Sequence, residues 1–505
     1  MSRRWPVTLV AALLWGLSGC VEYGSPIEPP PKPELETQPV TPLSVVVLAP
    51  LAPAELEPAK GEASSPATEA TAAPAELNPA DGASSLSEPV PAGEAAPPPA
   101  EPPAPASDTP PPDPPLRGTS VRPELDPLAA DALDVLDYLA VSGDLNDGLS
   151  RDDWDPTAGA GDILTYSADY VVAPSGGTHT SVQAAITAAV AAGGSERRFI
   201  ELTPGSYKEV VCVPSGAPPI TLYGTELDAS QTVISFDNYS GRPKPAGSPA
   251  NPCSPNTAAT TFGTSGSATF AVFGRDFVAQ NLSIVNATRE NASTGSLQAP
   301  ALLSQGDRAL YDNVRVLGNQ DSLLAKTPNV NTVTRAYFKA CYVEGDTDFI
   351  LGRGTLVLDG CTFHSLTARL TGGVFAPSTD ARNPFGMLVT HGTFTADAAA
   401  EPASIPLGRA WDESQADLVS YAAAVSTGAY PNGQLLVRES LLGAQIDSAA
   451  PWSSASSSDR PYASVAGAYP ANRLYEYGNT GPGSASGTVA ESPPADPTAA
   501  ANPAP

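Results

Sequence analysis

A strand–turn pattern recurs four times between residues 277 and 366 and restricts the fold more than any other feature. The segments are "FVAQNLSIVNAT" (277–288), "ALYDNVRVLGNQ" (309–320), "AYFKACYVEGDT" (336–347) and "TLVLDGCTFHSL" (355–366). Each carries a strand-like run, then Asn281, Asn313, Cys341 or Cys361, then an alternating run and a turn. The four markers are spaced by 32, 28 and 20 residues. Repeats of this length made only of strands and turns fit a parallel β-helix, one repeat per coil. An antiparallel sandwich is the competing architecture, but it calls for regular hairpins with Asn-Gly or Asp-Gly turns, which are sparse here. The expected fold is all-β: a single-stranded, right-handed parallel β-helix with a short helix capping its N-terminal end. The capping segment is "HTSVQAAITAAVAAG" (179–193), where Val182, Ala185, Ile186, Ala189 and Val190 share one helical face. A second helix is expected over Asp126–Ala140.

Composition assigns the rest of the 505 residues. Residues 21–120 hold 26 of the 56 prolines, too many for helix or central strand because proline lacks a donor N–H. They read as a disordered linker, partly polyproline II, that could hold a domain on the order of 100 Å from an anchor. The expected organisation is a leader (1–20), this linker (21–120), the β-helical domain (121–478) and a disordered tail (479–505). The leader "MSRRWPVTLVAALLWGLSGC" has Arg3 and Arg4 before a short apolar run, an export signal and not a membrane span. Its "LSGC" end resembles a bacterial lipobox, so Cys20 is the expected lipidation site. Val21 after it favours the outer membrane of the bacterial envelope. Net charge is −28, of which the linker contributes −12. Such acidity argues against a nucleic-acid partner.

Register has chemical consequences, because equivalent positions of adjacent coils lie about 4.8 Å apart. Four cysteines remain after Cys20, and an even number in an exported chain reads as two disulfides. Cys341 and Cys361 share a slot and are expected to pair, which leaves Cys212 for Cys253 by elimination. Asp321 lies eight residues after Asn313, and Asp348 lies seven after Cys341. Both therefore sit just past the same strand on adjacent coils. Two carboxyls about 5 Å apart cannot both ionise cheaply, so the pair becomes an acid beside a base. Asp346, two residues earlier, reads as a turn residue.

Five motifs in chain order then resemble those of pectin methylesterases, the β-helical carbohydrate esterases. "GSYKE" (205–209) is similar to the family's GxYxE, "QAPAL" (298–302) to QAVAL and "QDSLL" (320–324) to QDTL. "DFILG" (348–352) resembles DFIFG, and "LGRAW" (407–411) resembles LGRPW. The resemblance spans about residues 165–445 and, with the lipobox and the insert around 242–263, points to the lipoprotein branch. It implies that Asp348 is the nucleophile, Asp321 the general acid and then base, and Gln298 and Gln320 the oxyanion donors. It further implies that Arg409 orients Asp348 and keeps it ionised, and that Trp411, Phe349 and Leu351 contact the sugar. Leu351 stands where the family has a second phenylalanine, and Ala410 and Pro300 are further departures. Tyr207 and Glu209 read as structural.

The expected activity is hydrolysis of methyl esters of pectin or oligogalacturonides, releasing methanol, by a monomer without cofactor or metal. An acidic domain would repel a heavily de-esterified polymer, so highly methylated or short substrates fit better. A Ser-His-Asp esterase is disfavoured: only His179, His364 and His391 exist, and no GxSxG elbow occurs. The histidines read as surface or packing residues. A pectate lyase or polygalacturonase lacks its motifs here. Hydrolysis of a thioester or other ester on the same fold, and non-catalytic pectin binding, are the alternatives.

Overall fold

The computed structural model describes residues 116–254, 257–289, 297–367 and 372–485. The expectations for the leader with Cys20 and for most of the linker (21–120) and the tail (479–505) concern segments outside the described residues; at their inner ends both are corrected, because Leu116–Thr119 is a strand paired with Arg122–Leu125 and Asn479 and Ser484 are hydrogen-bonded into the fold.

Short apolar strands bounded by turn residues stack coil upon coil. Six of them form one parallel sheet in the order Val211–Val213, Phe270–Val272, Leu302–Ser304, Leu323–Ala325, Ile350–Gly352 and Phe375–Pro377. The remainder of each coil runs through a large, mainly parallel sheet, in pairs such as Val278–Asn286 with Ala309–Leu317 and Arg335–Lys339 with Thr355–Asp359. The architecture is a parallel β-helix, as the repeat demands. Its interior is apolar, with Tyr311 stacked on Phe338 at 4.3 Å and Phe363 packed against Phe375 and Phe394. Adjacent coils close tightly at Gly352 (φ +121°), where a Cβ would stand 1.8 Å from the Ala325 carbonyl oxygen.

The large sheet turns at one left-handed residue per coil: Asn281, Asn313, Ala340, Gly360, His391 and Glu439, with φ between 50° and 62°. Strand pairing places these residues in a row. Asparagine tolerates this conformation well, and Asn313 Nδ2 also donates to Asn281 Oδ1 at 2.8 Å. The sequence markers Asn281 and Asn313 are therefore the bend itself. Cys341 and Cys361 come one residue later, and the true equivalents are Ala340 and Gly360.

The expected Cys341–Cys361 disulfide is not formed, although the two residues are in register on adjacent coils: both are buried free thiols. They align with Val314 and face the core. In-register neighbours on parallel strands have nearly parallel Cα–Cβ bonds, whereas a disulfide needs its Cβ atoms to converge to about 3.8 Å. Each thiol instead donates to carbonyls, Cys341 Sγ to Tyr311 and Lys339 at 3.4 Å, Cys361 Sγ to Phe338 and Asp359 at 3.6 Å. Burial pushes the Cys341 thiol well above the usual range. The other bridge, Cys212–Cys253, is present, with its Cα atoms 5.9 Å apart.

Of the expected helices, the first covers Val182–Ala192, capped by Ser181, and buries Val182, Ala185, Ile186 and Ala189. Glu209 accepts from Ser181 Oγ and from the Val182 and Gln183 N–H groups, so it ties the helix start to the first coil. The Tyr207 hydroxyl donates to the carbonyls of Val172 and Thr203. Both residues of "GSYKE" are structural. The expected helix over Asp126–Ala140 divides into Pro127–Asp131 and Val135–Ala140, because Asp134 caps a new start through a capping box with Asp137. Nearby, Arg122 is buried and binds both carboxylate oxygens of Glu476 at 2.7 Å, joining the strand Arg122–Leu125 to Arg473–Tyr477 of the last coil.

Candidate active site

The bend that places the cysteines also places the two aspartates. Gln320 bridges Thr347, and Leu323 pairs with Ile350, so Asp321 and Asp348 are in register on adjacent coils. Counted from the left-handed bends at Asn313 and Ala340, both lie eight residues on. Both are themselves left-handed, with φ of 66° and 44°. That conformation costs of order 1 kcal/mol or more in a residue with a side chain. Here it turns each coil from the large sheet into the six-stranded sheet. Backbone bonds hold the corner: Asp321 N–H donates to Thr347 at 3.3 Å and Asp348 N–H to Gly373 at 2.8 Å.

Asp321 and Asp348 are 4% and 7% exposed, at the wall of a cleft of about 510 Å³. Gln298, Gln320, Arg409 and Trp411 line the same cleft. Arg409 Nη2 lies 2.7 Å from Asp348 Oδ2, and its Nε is 3.1 Å from both carboxylate oxygens. Burial pushes the Asp348 carboxyl above the usual carboxylate range; the Arg409 hydrogen bonds and charge, with the Gly373 N–H, pull it back only in part. The outward face of the six-stranded sheet supplies an apolar floor, an in-register row of Ala271, Leu303, Leu324, Leu351 and Ala376 that begins at Cys212. Trp411 packs against that row.

Two carboxylates, a guanidinium and two amides around one apolar-floored cleft are the parts an acyl-transfer centre needs. The family model described as Pectinesterase matches residues 169–435, more than half of the chain. This chain belongs to the pectinesterase family. A pectinesterase of Ralstonia solanacearum is 45% identical over 373 residues, covering 72% of this chain and 92% of the relative. YbhC of Escherichia coli, named as a candidate acyl-CoA thioester hydrolase, is 30% identical over 411 residues, covering 73% and 90%. The structure of rice weevil pectin methyl esterase superposes with a TM-score of 0.61 at 32% identity, covering 74% of this chain and all of that one. The chain is thus a carboxylic ester hydrolase, and its family's substrate is pectin.

As a pectinesterase site, the cleft brings together Asp321, Asp348, Gln298, Gln320, Arg409, Trp411 and Leu351. Phe349 is the exception and a correction. It is 1% exposed and belongs to the core, because the corner at Asp348 directs the next two residues inward. Asp346 lies in the bend just beyond the strand Tyr342–Gly345, as read from the sequence, and is buried at 2% exposure. The histidines lie elsewhere: His364 contacts Thr395 and Asp397, and His391 contacts Thr390.

Sequence reasoning missed two groups. Glu413 accepts from Arg353 Nε at 2.9 Å and from Ser378 Oγ at 3.2 Å, with Lys326 Nζ 3.6 Å away at the cleft edge. Lys326 and Arg353 share the register of Asp321 and Asp348, a spacing signal that was there to be read. Ser240, just before the insert, donates its hydroxyl to Gln298 Oε1 at 2.7 Å. No motif marks it.

Proposed function

We propose that this chain hydrolyses methyl esters of pectin or oligogalacturonides with Asp348 as nucleophile and Asp321 as general acid and base. The observation that carries the reading is the in-register pair of buried aspartates, one of which binds Arg409 bidentately. Arg409 faces Asp348, so the negative charge of the pair resides there and the proton on Asp321. A carboxylate oxygen of Asp348 attacks the ester carbonyl carbon. Amide N–H groups of Gln298 and Gln320 stabilise the oxyanion and, being neutral, add no charge beside the acid. As the tetrahedral species collapses, Asp321 protonates the departing methoxide, which leaves as methanol. The remaining acyl anhydride is hydrolysed by a water that Asp321 deprotonates, giving a free galacturonate carboxyl and restoring Asp348.

Leu351 and Trp411 offer apolar surface to the sugar ring, while the acidity of the protein disfavours densely charged, de-esterified polymer. The lipobox-like "LSGC" supports lipidation at Cys20 and residence at the bacterial outer membrane, with the Pro-rich segment as tether and the enzyme a monomer. The name of the Escherichia coli relative makes acyl-CoA thioesters the second substrate class to test. The test compares methanol release from methylated oligogalacturonides with thiol release from an acyl-CoA, using wild type and Asp321→Asn. Methanol release lowered at least about a hundredfold by the substitution supports the reading. Thioester turnover without methanol release overturns it.

A further inference from the structure

We propose that Ser240 is a positioning residue that fixes which end of the Gln298 amide faces the cleft; the inference rests on the oxyanion role given to Gln298 above. A side-chain amide is useful in that role in only one orientation. Its NH₂ stabilises developing negative charge, whereas its carbonyl oxygen would repel it. Gln298 lines the cleft with Asp321 and Asp348.

Ser240 holds Gln298 at two points. Its hydroxyl donates to Oε1 at 2.7 Å, and its backbone N–H donates to the Gln298 carbonyl at 2.8 Å. With Oε1 turned to Ser240, the NH₂ is the end turned away from it. A serine hydroxyl can also accept, so the contact alone would tolerate a flipped amide. The negative charge that Asp348 carries in the same cleft disfavours a flip that would turn Oε1 toward it, and the hydroxyl therefore acts as donor.

Ser240 is held in place by its own segment. Residues 237–269 form an excursion between the strands Thr232–Phe236 and Phe270–Val272. The Ser240 carbonyl accepts from Gly263 N–H at 2.8 Å, and the next two residues, Thr264 and Ser265, line the cleft. The Cys212–Cys253 disulfide pins the excursion to the same sheet that carries Leu324 and Leu351. The excursion is thus a braced arm whose serine holds Gln298, which lines the cleft.

The experiment is steady-state methanol release by the full chain carrying S240A, S240T, Q298A or S240A/Q298A. S240A keeps the backbone bond to Gln298 and removes only the hydroxyl. Loss of one neutral hydrogen bond predicts a kcat lowered about three- to tenfold, with KM within about twofold of wild type. S240T keeps a hydroxyl and restores kcat to within about twofold. Q298A costs about 10²-fold or more, and adding S240A to it lowers kcat no further. Unchanged kcat in S240A, or an equal S240A effect with and without Gln298, overturns the proposal while leaving the role of Gln298 standing. Unchanged kcat in Q298A removes that role, and the proposal with it.

Discussion

Burial and Arg409 pull the Asp348 carboxyl in opposite directions, and burial prevails. In the proposed mechanism Asp348 acts as the carboxylate, so activity is expected to fall as pH drops through its raised pKa, with the acid limb of kcat above the ordinary carboxylate range. Arg409→Gln removes the opposing charge and moves that limb further up; a pH–rate profile with an unmoved or lowered limb contradicts the assignment. Phe349 tests the other side of the same corner. Phe349→Ala is expected to destabilise the fold by about 3–5 kcal/mol in thermal or denaturant unfolding, as a core truncation does. A stable variant with only a raised KM would instead place Phe349 against substrate. Asp321, Asp348, Arg409 and both glutamines were legible because each sits in a short contiguous motif. The direction of Phe349 was not, since it depends on a left-handed φ at Asp348 that the letters "DFILG" do not display. Ser240 was equally hidden, because its contact spans 58 residues of chain.

At the level of the coil, the repeat was legible and its phase was not. Asparagine marks the bend in two coils, but alanine and glycine occupy it in the next two, with a cysteine one residue further on in each. Relative spacing survived that slip, so the aspartates were still placed together; Cys341 and Cys361 stay in register too, and their bridge is absent because side chains on parallel strands do not converge. Alkylation followed by peptide mapping checks the thiols. Cys341 and Cys361 are expected to react after unfolding without reductant, and Cys212 and Cys253 only after reduction. Protection of Cys341 and Cys361 until reduction would restore the bridge. The strand Arg122–Leu125 makes a second prediction at this scale. Glu476→Gln leaves Arg122 buried without its charge partner and should cost about 3–5 kcal/mol of stability. A loss below 1 kcal/mol would mean that this closure of the last coil is dispensable. The helix expected over Asp126–Ala140 failed at Asp134, where a capping aspartate restarts the helix inside a continuous apolar pattern.

Over the whole molecule, a net charge of −28 confronts a substrate that gains a carboxylate at every turnover. Repulsion of that kind is screened over about 10 Å at 0.1 M salt. Raising salt from about 0.02 to 0.2 M should therefore lower KM severalfold for sparsely methylated pectin and leave it nearly unchanged for fully methylated oligomers. Equal salt dependence for both would remove charge as the source of preference. Metabolic labelling with a fatty acid, lost in Cys20→Ser, is the expected sign of a lipid tether. The proposed chemistry turns on the charge of Asp348. Methanol release from methylated oligogalacturonides is to be compared for wild type and Asp348→Asn at matched melting temperature. Turnover by wild type and a loss of at least about a thousandfold in the variant are expected. A folded Asp348→Asn enzyme that releases methanol at the wild-type rate would contradict that chemistry.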